Sequence, residues 1–316
     1  MNKPAIVFMG SSPYAVPILE RLLDNRFSIV AVVTQPDRPK GRGQKVLPTV
    51  LSTRARDLNL TVVQPEKIRS RSFCDYLKNL SPDLIITAAY GKILNQQHLN
   101  IPHLGIWNVH ASLLPKYRGA APIHWAIIRG EKLTGVTIMK TNIGIDTGNI
   151  ISQKSTIVRD TDTAGTLEQR LSELGAGLLV ETIQKKMNHG IIETVQNSMD
   201  ASYAPPLTAE DTVLDWSGSA ASIDRRIRGL SPHPSAFSMF GSMRIKFLFS
   251  RLESTETKKG FPFGTVLGST RNSGLLVNTG EGIVECLEVQ PESKKKTVGS
   301  NLINGHYLKV GDVLGS

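Results

Sequence analysis

The first 110 residues alternate between apolar runs of strand length and amphipathic stretches of helix length. The apolar runs include PAIVFMG at 4–10, FSIVAVVT at 27–34 and DLIITAAYG at 83–91. Between the first two, SSPYAVPILERLLDN at 11–25 places its large aliphatic residues on one helical face. Strands that alternate with helices build βαβ units, and strands that are apolar throughout are buried on both faces. The alternation therefore predicts an α/β domain with a mainly parallel sheet.

The last third of the chain has a different pattern. After the helical stretch SAASIDRRIRGL at 219–230, short strand-like runs follow at 242–250, 264–268, 274–280 and 282–290. Turn residues separate these runs. Short strands at close spacing predict a small antiparallel barrel.

The segment QNSMDASYAPPLTAEDT, at 196–212, has no periodicity and carries Pro205 and Pro206. Such a stretch is typical of a connection between domains. The sequence therefore predicts a first domain at 1–189, a linker at 190–206 and a second domain at 207–316.

The formal net charge of the 316 residues is +10, and most of it lies in the first part of the chain. The first 205 residues hold 24 basic and 16 acidic side chains, and the remainder holds 13 and 11. A basic balance favours an anionic partner, most often a nucleic acid. A basic surface without a ligand is the alternative.

Several classes of protein are disfavoured by what the sequence lacks. Cys74 and Cys286 are far apart and in no paired motif, and HExxH does not occur, so we expect neither a disulfide framework nor a metal site. No run approaches the roughly 20 apolar residues of a membrane helix. The N-terminal segment lacks the features of a secretory signal. We expect a cytoplasmic protein without a membrane anchor.

Candidate catalytic residues follow two predicted strands. Asn108 and His110 lie in NVHASLLPKYRGAAP, at the end of the run LGIWNVH, and Asp146 lies in the turn GIDTG. Ligands of open α/β sheets bind at the carboxyl ends of the strands. An Asn amide and a charged His can stabilise an oxyanion, and an Asp can keep the His charged and move protons. The set fits acyl transfer, although a structural His and a turn-forming Asp explain each motif taken alone.

A basic insertion, TQPDRPKGRGQKVLPT at 34–49, stands where a connection of about 2–6 residues is usual. It contains Arg38, Lys40, Arg42 and Lys45, and glycines flank Arg42 on both sides. Its length and charge favour an anion-binding loop suited to phosphates. A solvated flexible loop is the alternative.

Two other chemistries are poorly supported. Gly10 opens no GxGxxG fingerprint, which disfavours a dinucleotide site. GxSxG does not occur, and neither cysteine has a nucleophile context, which disfavours covalent acyl catalysis.

Seven segments together carry a resemblance to a known family. They are TQPDRPKGRG, AAYGKIL, NVHASLLPKYRGAAPI, TGVTIMK, GIDTGNI, YAPPLTAEDTVLDW and IRGLSPHPSAF. The combination of NVHASLLPKYRGAAPI with GIDTG resembles the folate-dependent formyltransferases as a group. The last two segments narrow the resemblance to the methionyl-tRNA formyltransferase family, over nearly the full chain.

The resemblance implies a Rossmann-like N-terminal domain that uses 10-formyltetrahydrofolate as formyl donor, without a metal. It implies transfer of the formyl group to the free amino group of initiator methionyl-tRNA. The family's catalytic residues fall on Asn108, His110 and Asp146. Its folate-contacting turn falls on Ser112, Leu113, Leu114 and Pro115.

The resemblance also implies how tRNA is bound. The insertion at 34–49 resembles the family's loop that enters the acceptor end of the initiator tRNA, with Arg42 wedged against the end of the stem. Arg38, Lys40, Arg42 and Lys45 are the expected tRNA-binding residues. The C-terminal domain resembles an OB-like β-barrel that contacts tRNA backbone, and a monomer is expected. Lys116, Tyr117 and Arg118 receive no role.

The chain departs from the family pattern at three places: Pro206 replaces a lysine, SPHP stands at 231–234, and Asn149 follows GIDTG. None of these changes the predicted catalytic residues. The nearest alternative is another folate-dependent formyltransferase, which acts on a small amine. A non-catalytic RNA-binding protein on a formyltransferase scaffold is disfavoured by the intact Asn, His and Asp set.

Overall fold

The structure is a computed structural model that describes residues 3–40, 45–270 and 274–315. The chain divides into two compact units. The first contains Met1–Pro122, Leu133–Ile157 and Glu168–Ala204. The second contains Ile123–Lys132, Val158–Leu167 and Pro205–Ser316.

The strands and helices are numbered along the chain. The strands are β1 Ala5–Gly10, β2 Ser28–Val33, β3 Arg38–Lys40, β4 Lys45–Leu47, β5 Val62–Val63, β6 Leu84–Ala88, β7 Ile106–His110, β8 Arg118–Gly119, β9 Leu133–Lys140, β10 Ile150–Ile157, β11 Tyr203–Ala204, β12 Ala236–Phe240, β13 Met243–Ser254, β14 Val266–Ser269, β15 Leu275–Asn278, β16 Ile283–Pro291 and β17 Thr297–Val298. The α-helices are α1 Ala15–Asp24, α2 Val50–Asp57, α3 Arg71–Asn79, α4 Gln96–Leu99, α5 Pro122–Ile128, α6 Ala164–His189, α7 Ala220–Leu230 and α8 Asn301–Asn304. Short 3₁₀ helices cover Ser198–Asp200 and Glu210–Thr212.

The main sheet of the first unit has the strand order β10-β9-β7-β6-β1-β2-β5 over the residues described. All pairings from β7 to β5 are parallel, whereas β9 runs antiparallel to both β7 and β10. Along the chain, β2 and β5 follow β1 and lie on one side of it in the sheet. The later strands β6 and β7 lie on its other side. The predicted α/β fold with a mainly parallel sheet is confirmed. The strand order reverses between β1 and β6, and ligands of open α/β sheets generally bind at the carboxyl ends of the strands next to such a reversal.

The central strands are apolar because both of their faces are covered. Residues Ile6 to Met9 of β1 and Leu84 to Ile86 of β6 are fully buried. Gly10 ends β1 where the backbones come close together. A Cβ at Gly10 would lie 2.8 Å from the carbonyl oxygen of Ala88, so a larger residue would push the two strand ends apart.

The two ends of the basic insertion form paired strands that the sequence did not predict. Strands β3 and β4 pair antiparallel, with Arg38 opposite Leu47. A 2.6 Å hydrogen bond between the hydroxyls of Thr34 and Thr49 joins the two ends of the insertion. Thr49 also caps α2, since its hydroxyl accepts from the Ser52 amide. Residues 41–44, which include Arg42, lie outside the described part of the chain.

The second unit is built on the antiparallel sheet β12-β13-β16-β15-β14, with β17 paired to β16. Helix α7 packs against it through Ile223 and Ile227, and the Trp216 ring meets the Phe247 ring edge-on at 5.4 Å. The antiparallel character predicted for the C-terminal part is confirmed. Within this unit the Asp224 carboxylate accepts from Arg228 at 2.8 Å. Burial raises the pKa of Asp224, and the nearby Arg228 opposes that shift.

Tyr14, between β1 and α1, provides a test of packing in the first unit. Its side chain is buried, and its hydroxyl finds no hydrogen-bond partner among the described residues. A Cβ at Gly175 of α6 would lie 3.4 Å from this hydroxyl. Burial raises the pKa of the phenol, which therefore stays neutral.

We expect Tyr14→Phe to raise the free energy of unfolding by about 1 kcal/mol, because a buried unsatisfied hydroxyl costs roughly 1–3 kcal/mol. Urea denaturation followed by circular dichroism measures the change. Tyr76→Phe, at a half-buried tyrosine of the same unit, is the control and should shift stability by less than about 0.5 kcal/mol. A loss of stability in Tyr14→Phe would show that the hydroxyl has a partner.

Candidate active site

Asn108 and His110 lie on β7, two residues apart, so their side chains share one face of the sheet. Val109 between them points into the core. Asn108 pairs with Thr87 of β6, and His110 pairs with Thr137 of β9. Both residues therefore stand near the carboxyl edge of the parallel strands. Asn108 is half-buried, whereas His110 is 5% exposed.

Asp146 reaches these residues from the loop that joins β9 to β10. Its carboxylate Oδ2 lies 3.5 Å from His110 Nδ1, and its Oδ1 accepts from Asn108 Nδ2 at 3.4 Å. Asp146 has a φ of 51°, a left-handed conformation that Asp tolerates better than most residues. The structure thus brings together the three residues that the sequence predicted to be catalytic.

Neighbouring groups fix the orientation of each of the three side chains. Thr87 Oγ1 donates to Asn108 Oδ1 at 3.0 Å, which turns the amide nitrogen towards Asp146. His110 Nε2 donates to the Tyr117 carbonyl oxygen at 3.0 Å, since a carbonyl can only accept. The Gly119 amide donates to Asp146 Oδ2 at 2.9 Å.

The contacts from Asn108 and His110 to Asp146 are longer than the usual range of about 2.7–3.2 Å. The carboxylate therefore does not saturate Asn108 Nδ2. His110 Nδ1 is a second donor beside it when both ring nitrogens carry a proton, since Nε2 already donates to Tyr117. Both donors can also donate to an oxygen that enters the site from the side of Asn108, which is the more accessible of the two. This arrangement can stabilise negative charge on such an oxygen.

The turn at Ser112, Leu113, Leu114 and Pro115 is fixed from β9 and β10. Thr137 Oγ1 donates to the Ser112 carbonyl at 2.7 Å, and Gln153 Nε2 donates to the Leu114 carbonyl at 2.8 Å. The Leu114–Pro115 peptide is cis. The side chains of Ser112 and Leu114 are buried, whereas Leu113 and Pro115 are half-buried. Folate binding by this turn stays a prediction.

The segment after Lys116 supports the site, although the sequence assigned it no role. Lys116 is exposed, Tyr117 supplies the carbonyl that holds His110, and Arg118 is buried. Ser202 holds the segment in place, since its Oγ accepts from the Tyr117 amide at 2.9 Å and its carbonyl from the Arg118 amide at 2.8 Å.

Sequence reasoning missed Thr87, Gln196 and Ser202. Gln196 and Ser202 lie in the segment predicted to be a linker, yet residues up to Ala204 belong to the first compact unit. Isolated polar residues in a stretch without periodicity give no signal of a contact with the active site. Thr87 could have been suspected, because it is a polar residue near the end of a buried strand.

Three of the four expected tRNA-binding residues, Arg38, Lys40 and Lys45, lie on the paired strands β3 and β4. Arg38 is exposed, and Lys40 and Lys45 face each other in the backbone pairing. Next to the hairpin, Gln64 Nε2 donates to Asp37 Oδ1 at 2.6 Å. The hairpin is therefore anchored at its base, and the part around Arg42 lies outside the described residues.

A cavity of about 430 Å³ lies beside the Asp146 loop. Its wall includes Leu99, Ile106, Lys140, Ile143 and Gly144. Its volume is within the range of small-molecule sites, and its lining mixes aliphatic side chains with a few polar groups.

Among the described residues, no group of three or more His, Cys, Asp or Glu side chains is placed to hold a metal ion. None of the helices in this part of the chain has both the length and the apolarity needed to cross a membrane.

Similar proteins are found for the whole chain. Residues 3–183 match the family model described as formyl transferase, and residues 206–307 match that of the formyl transferase C-terminal domain. The methionyl-tRNA formyltransferase of Syntrophus aciditrophicus is 42% identical over 315 residues, which is 100% of both chains. That of Acetivibrio thermocellus is 42% identical over 310 residues, covering 98% of this chain and 99% of the relative.

Solved structures share the fold at lower identity. HypX from Aquifex aeolicus, in complex with tetrahydrofolic acid, aligns with a TM-score of 0.67 and 16% identity. The alignment covers 98% of this chain but only 48% of HypX. The sugar 3N-formyl transferase WlaRD aligns with a TM-score of 0.64 and 21% identity, over 93% of this chain and 100% of that one.

These matches agree with the geometry at the end of β7 and confirm the resemblance inferred from the motifs. Two family models follow one another along the chain, and relatives of 42% identity align with it from end to end. The chain belongs to the methionyl-tRNA formyltransferase family.

Proposed function

We propose that this protein transfers a formyl group from 10-formyltetrahydrofolate to the α-amino group of initiator methionyl-tRNA. The observation that carries the proposal is the convergence of Asn108, His110 and Asp146 at one sheet edge, in a chain of this family. A half-buried amide and an imidazole that both contact one carboxylate suit attack by an amine on a carbonyl carbon.

The cavity beside the Asp146 loop is large enough for a flat heterocycle, and Leu99 and Ile143 in its lining provide apolar surface. Its lining includes neither the three candidate catalytic residues nor the turn at 112–115, so a folate in this cavity would have to extend beyond it to reach them. The loop backbone near Gly144 adds polar groups. The hydrogen-bond donors of Asn108 and His110 make only long contacts with Asp146, so they remain available for the carbonyl oxygen of a formyl group.

When bound, the folate supplies the formyl carbon and accepts a proton on its nitrogen as that bond breaks. Asn108 Nδ2 and the His110 imidazolium donate to the formyl oxygen as it gains negative charge. Asp146 lies against both donors and carries a proton from the attacking amine to the folate nitrogen as the bond between that nitrogen and the formyl carbon breaks. The amine attacks in its neutral form, which the reference α-amino pKa of about 7.7–8.0 makes available at physiological pH.

The hairpin β3–β4 supports tRNA as the acceptor. It presents exposed Arg38 from an anchored base, and guanidinium groups bind phosphates through paired donors. A formyltransferase for a small amine is the alternative, and it gives this basic hairpin no function.

The acceptor is tested directly by comparing methionyl initiator tRNA, methionyl elongator tRNA and methionine amide with the same formyl donor. We expect the initiator tRNA to give the highest kcat/KM, by about 100-fold or more over methionine amide, because the amide lacks the contacts that orient the amine. Equal kcat/KM for tRNA and methionine amide would favour the small-amine alternative.

We expect Asn108→Ala and His110→Ala each to lower kcat by about 100- to 1,000-fold, the usual cost of losing one oxyanion donor. Steady-state formylation of methionyl-tRNA measures the effect, and circular dichroism checks the fold. His103→Ala, at a mostly exposed histidine that contacts Asp83, is the control and should keep wild-type turnover. Wild-type kcat in His110→Ala would contradict the role given to His110.

We expect Arg42→Ala to raise the apparent KM for tRNA about 10-fold while leaving the KM for the formyl donor within about twofold, because a charged hydrogen bond to phosphate contributes about 1.5–3 kcal/mol. The matched control is Arg71→Ala, since the Arg71 side chain is 96% exposed on α3. A raised KM for the formyl donor with an unchanged KM for tRNA would contradict tRNA binding by the insertion.

A further inference from the structure

Arg118 and Gln196 form a buried polar pair in the first unit. Arg118 is 3% exposed and Gln196 is 7% exposed. Arg118 Nε and Nη2 both donate to Gln196 Oε1, at 3.0 and 2.8 Å. The acceptor that this buried guanidinium contacts is a neutral amide oxygen. Burying polar groups is costly, and the pair therefore calls for an explanation beyond packing.

The other end of Gln196 holds the loop that carries Asp146. Gln196 Nε2 donates to the carbonyl oxygens of Asp146 at 2.8 Å and Gly148 at 2.7 Å. The amide therefore uses both of its N–H groups on this loop. Its orientation is fixed, because the Arg118 guanidinium can only donate and the two carbonyls can only accept.

The loop is in a conformation that needs such support. Asp146 has a φ of 51°, which is unfavourable for a residue with a Cβ. A Cβ at Gly148 would lie 1.6 Å from the Lys140 carbonyl oxygen, so the backbone passes close to β9 there. Residues in sparsely populated conformations persist when their surroundings hold them in place.

The residue after Arg118 holds the same aspartate at its carboxylate. The Gly119 amide donates to Asp146 Oδ2, while Arg118 acts on the Asp146 backbone through Gln196. Both residues belong to β8, which pairs with β11. The two-residue strand β8 thus fixes both the main chain and the side chain of Asp146.

We propose that Arg118 and Gln196 are positioning residues that aim the Asp146 carboxylate at Asn108 and His110. The pair is buried and acts on Asp146 through the loop backbone. This inference rests on the proposed function, in which Asp146 must contact both donors. Small displacements of a catalytic group, on the order of 1 Å, lower rates by about 100-fold.

Gln196→Glu is the sharpest test. The variant keeps the size of the side chain and an oxygen for Arg118, but it places a second oxygen against the Asp146 and Gly148 carbonyls in place of a donor. We expect kcat for methionyl-tRNA formylation to fall about 10- to 100-fold, with the KM for tRNA changed less than about threefold. Gln290→Glu is the matched control, because Gln290 Nε2 also donates to a backbone carbonyl, that of Lys294. Its kcat should stay at the wild-type value.

The same substitution in an Asp146→Asn background separates positioning from a general structural role. There Gln196→Glu should lower kcat by less than about a further twofold, because the carboxylate that it positions is gone. An equal fold-loss in both backgrounds, or an unchanged kcat in the presence of Asp146, would overturn the positioning role. Near wild-type kcat in Asp146→Asn alone would instead overturn the proposed function.

Arg118→Lys answers the same question if Gln196→Glu does not fold. Lysine keeps the charge but replaces the rigid fork that makes two bonds to Gln196 Oε1. We expect Arg118→Lys to lower kcat about 10-fold when Asp146 is present, and by less than about twofold when it is made in an Asp146→Asn background. A wild-type kcat in Arg118→Lys would overturn the proposal.

Discussion

The hydrogen bond from the Gly119 amide to the Asp146 carboxylate is the contact on which the candidate active site depends. It links the short strand β8 to the loop between β9 and β10. Because the same carboxylate faces Asn108 and His110, this bond sets where negative charge lies relative to two hydrogen-bond donors. Asn108 and His110 are therefore placed relative to the charge of the Asp146 carboxylate.

Strand pairing on both sides of β7 holds the two site residues that this strand carries. Asn108 and His110 project from a strand paired on both sides, so their spacing is set by backbone hydrogen bonds. Asp146 comes from a loop, which has no such ladder. Its position instead depends on side chains from distant parts of the sequence, chiefly Gln196, and on close backbone approaches at Gly119 and Gly148. Strand and loop are thus held in place by different kinds of contact.

Much of the fold could be predicted from the sequence, because burial leaves a periodic signature. The buried residues of β1 and β6 stand in apolar runs of the sequence, and α6 ends at His189, directly before Gly190 with a φ of 76°. The paired ends of the basic insertion were not predicted, since three-residue strands such as β3 and β4 are too short to show alternation. Domain boundaries read from proline content also cannot show that residues 190–204 pack on the first unit.

The sequence by itself determined which side chains are available at the sheet edge, because motif spacing and strand ends place Asn108, His110 and Asp146 at the ends of neighbouring elements. Only the tertiary structure decided how they are oriented. The groups that orient them are a threonine on the adjacent strand, a backbone carbonyl at Tyr117 and an amide at Gln196. Hydrogen bonds between residues far apart in the chain leave no local pattern, so these contacts become visible only once the chain is folded.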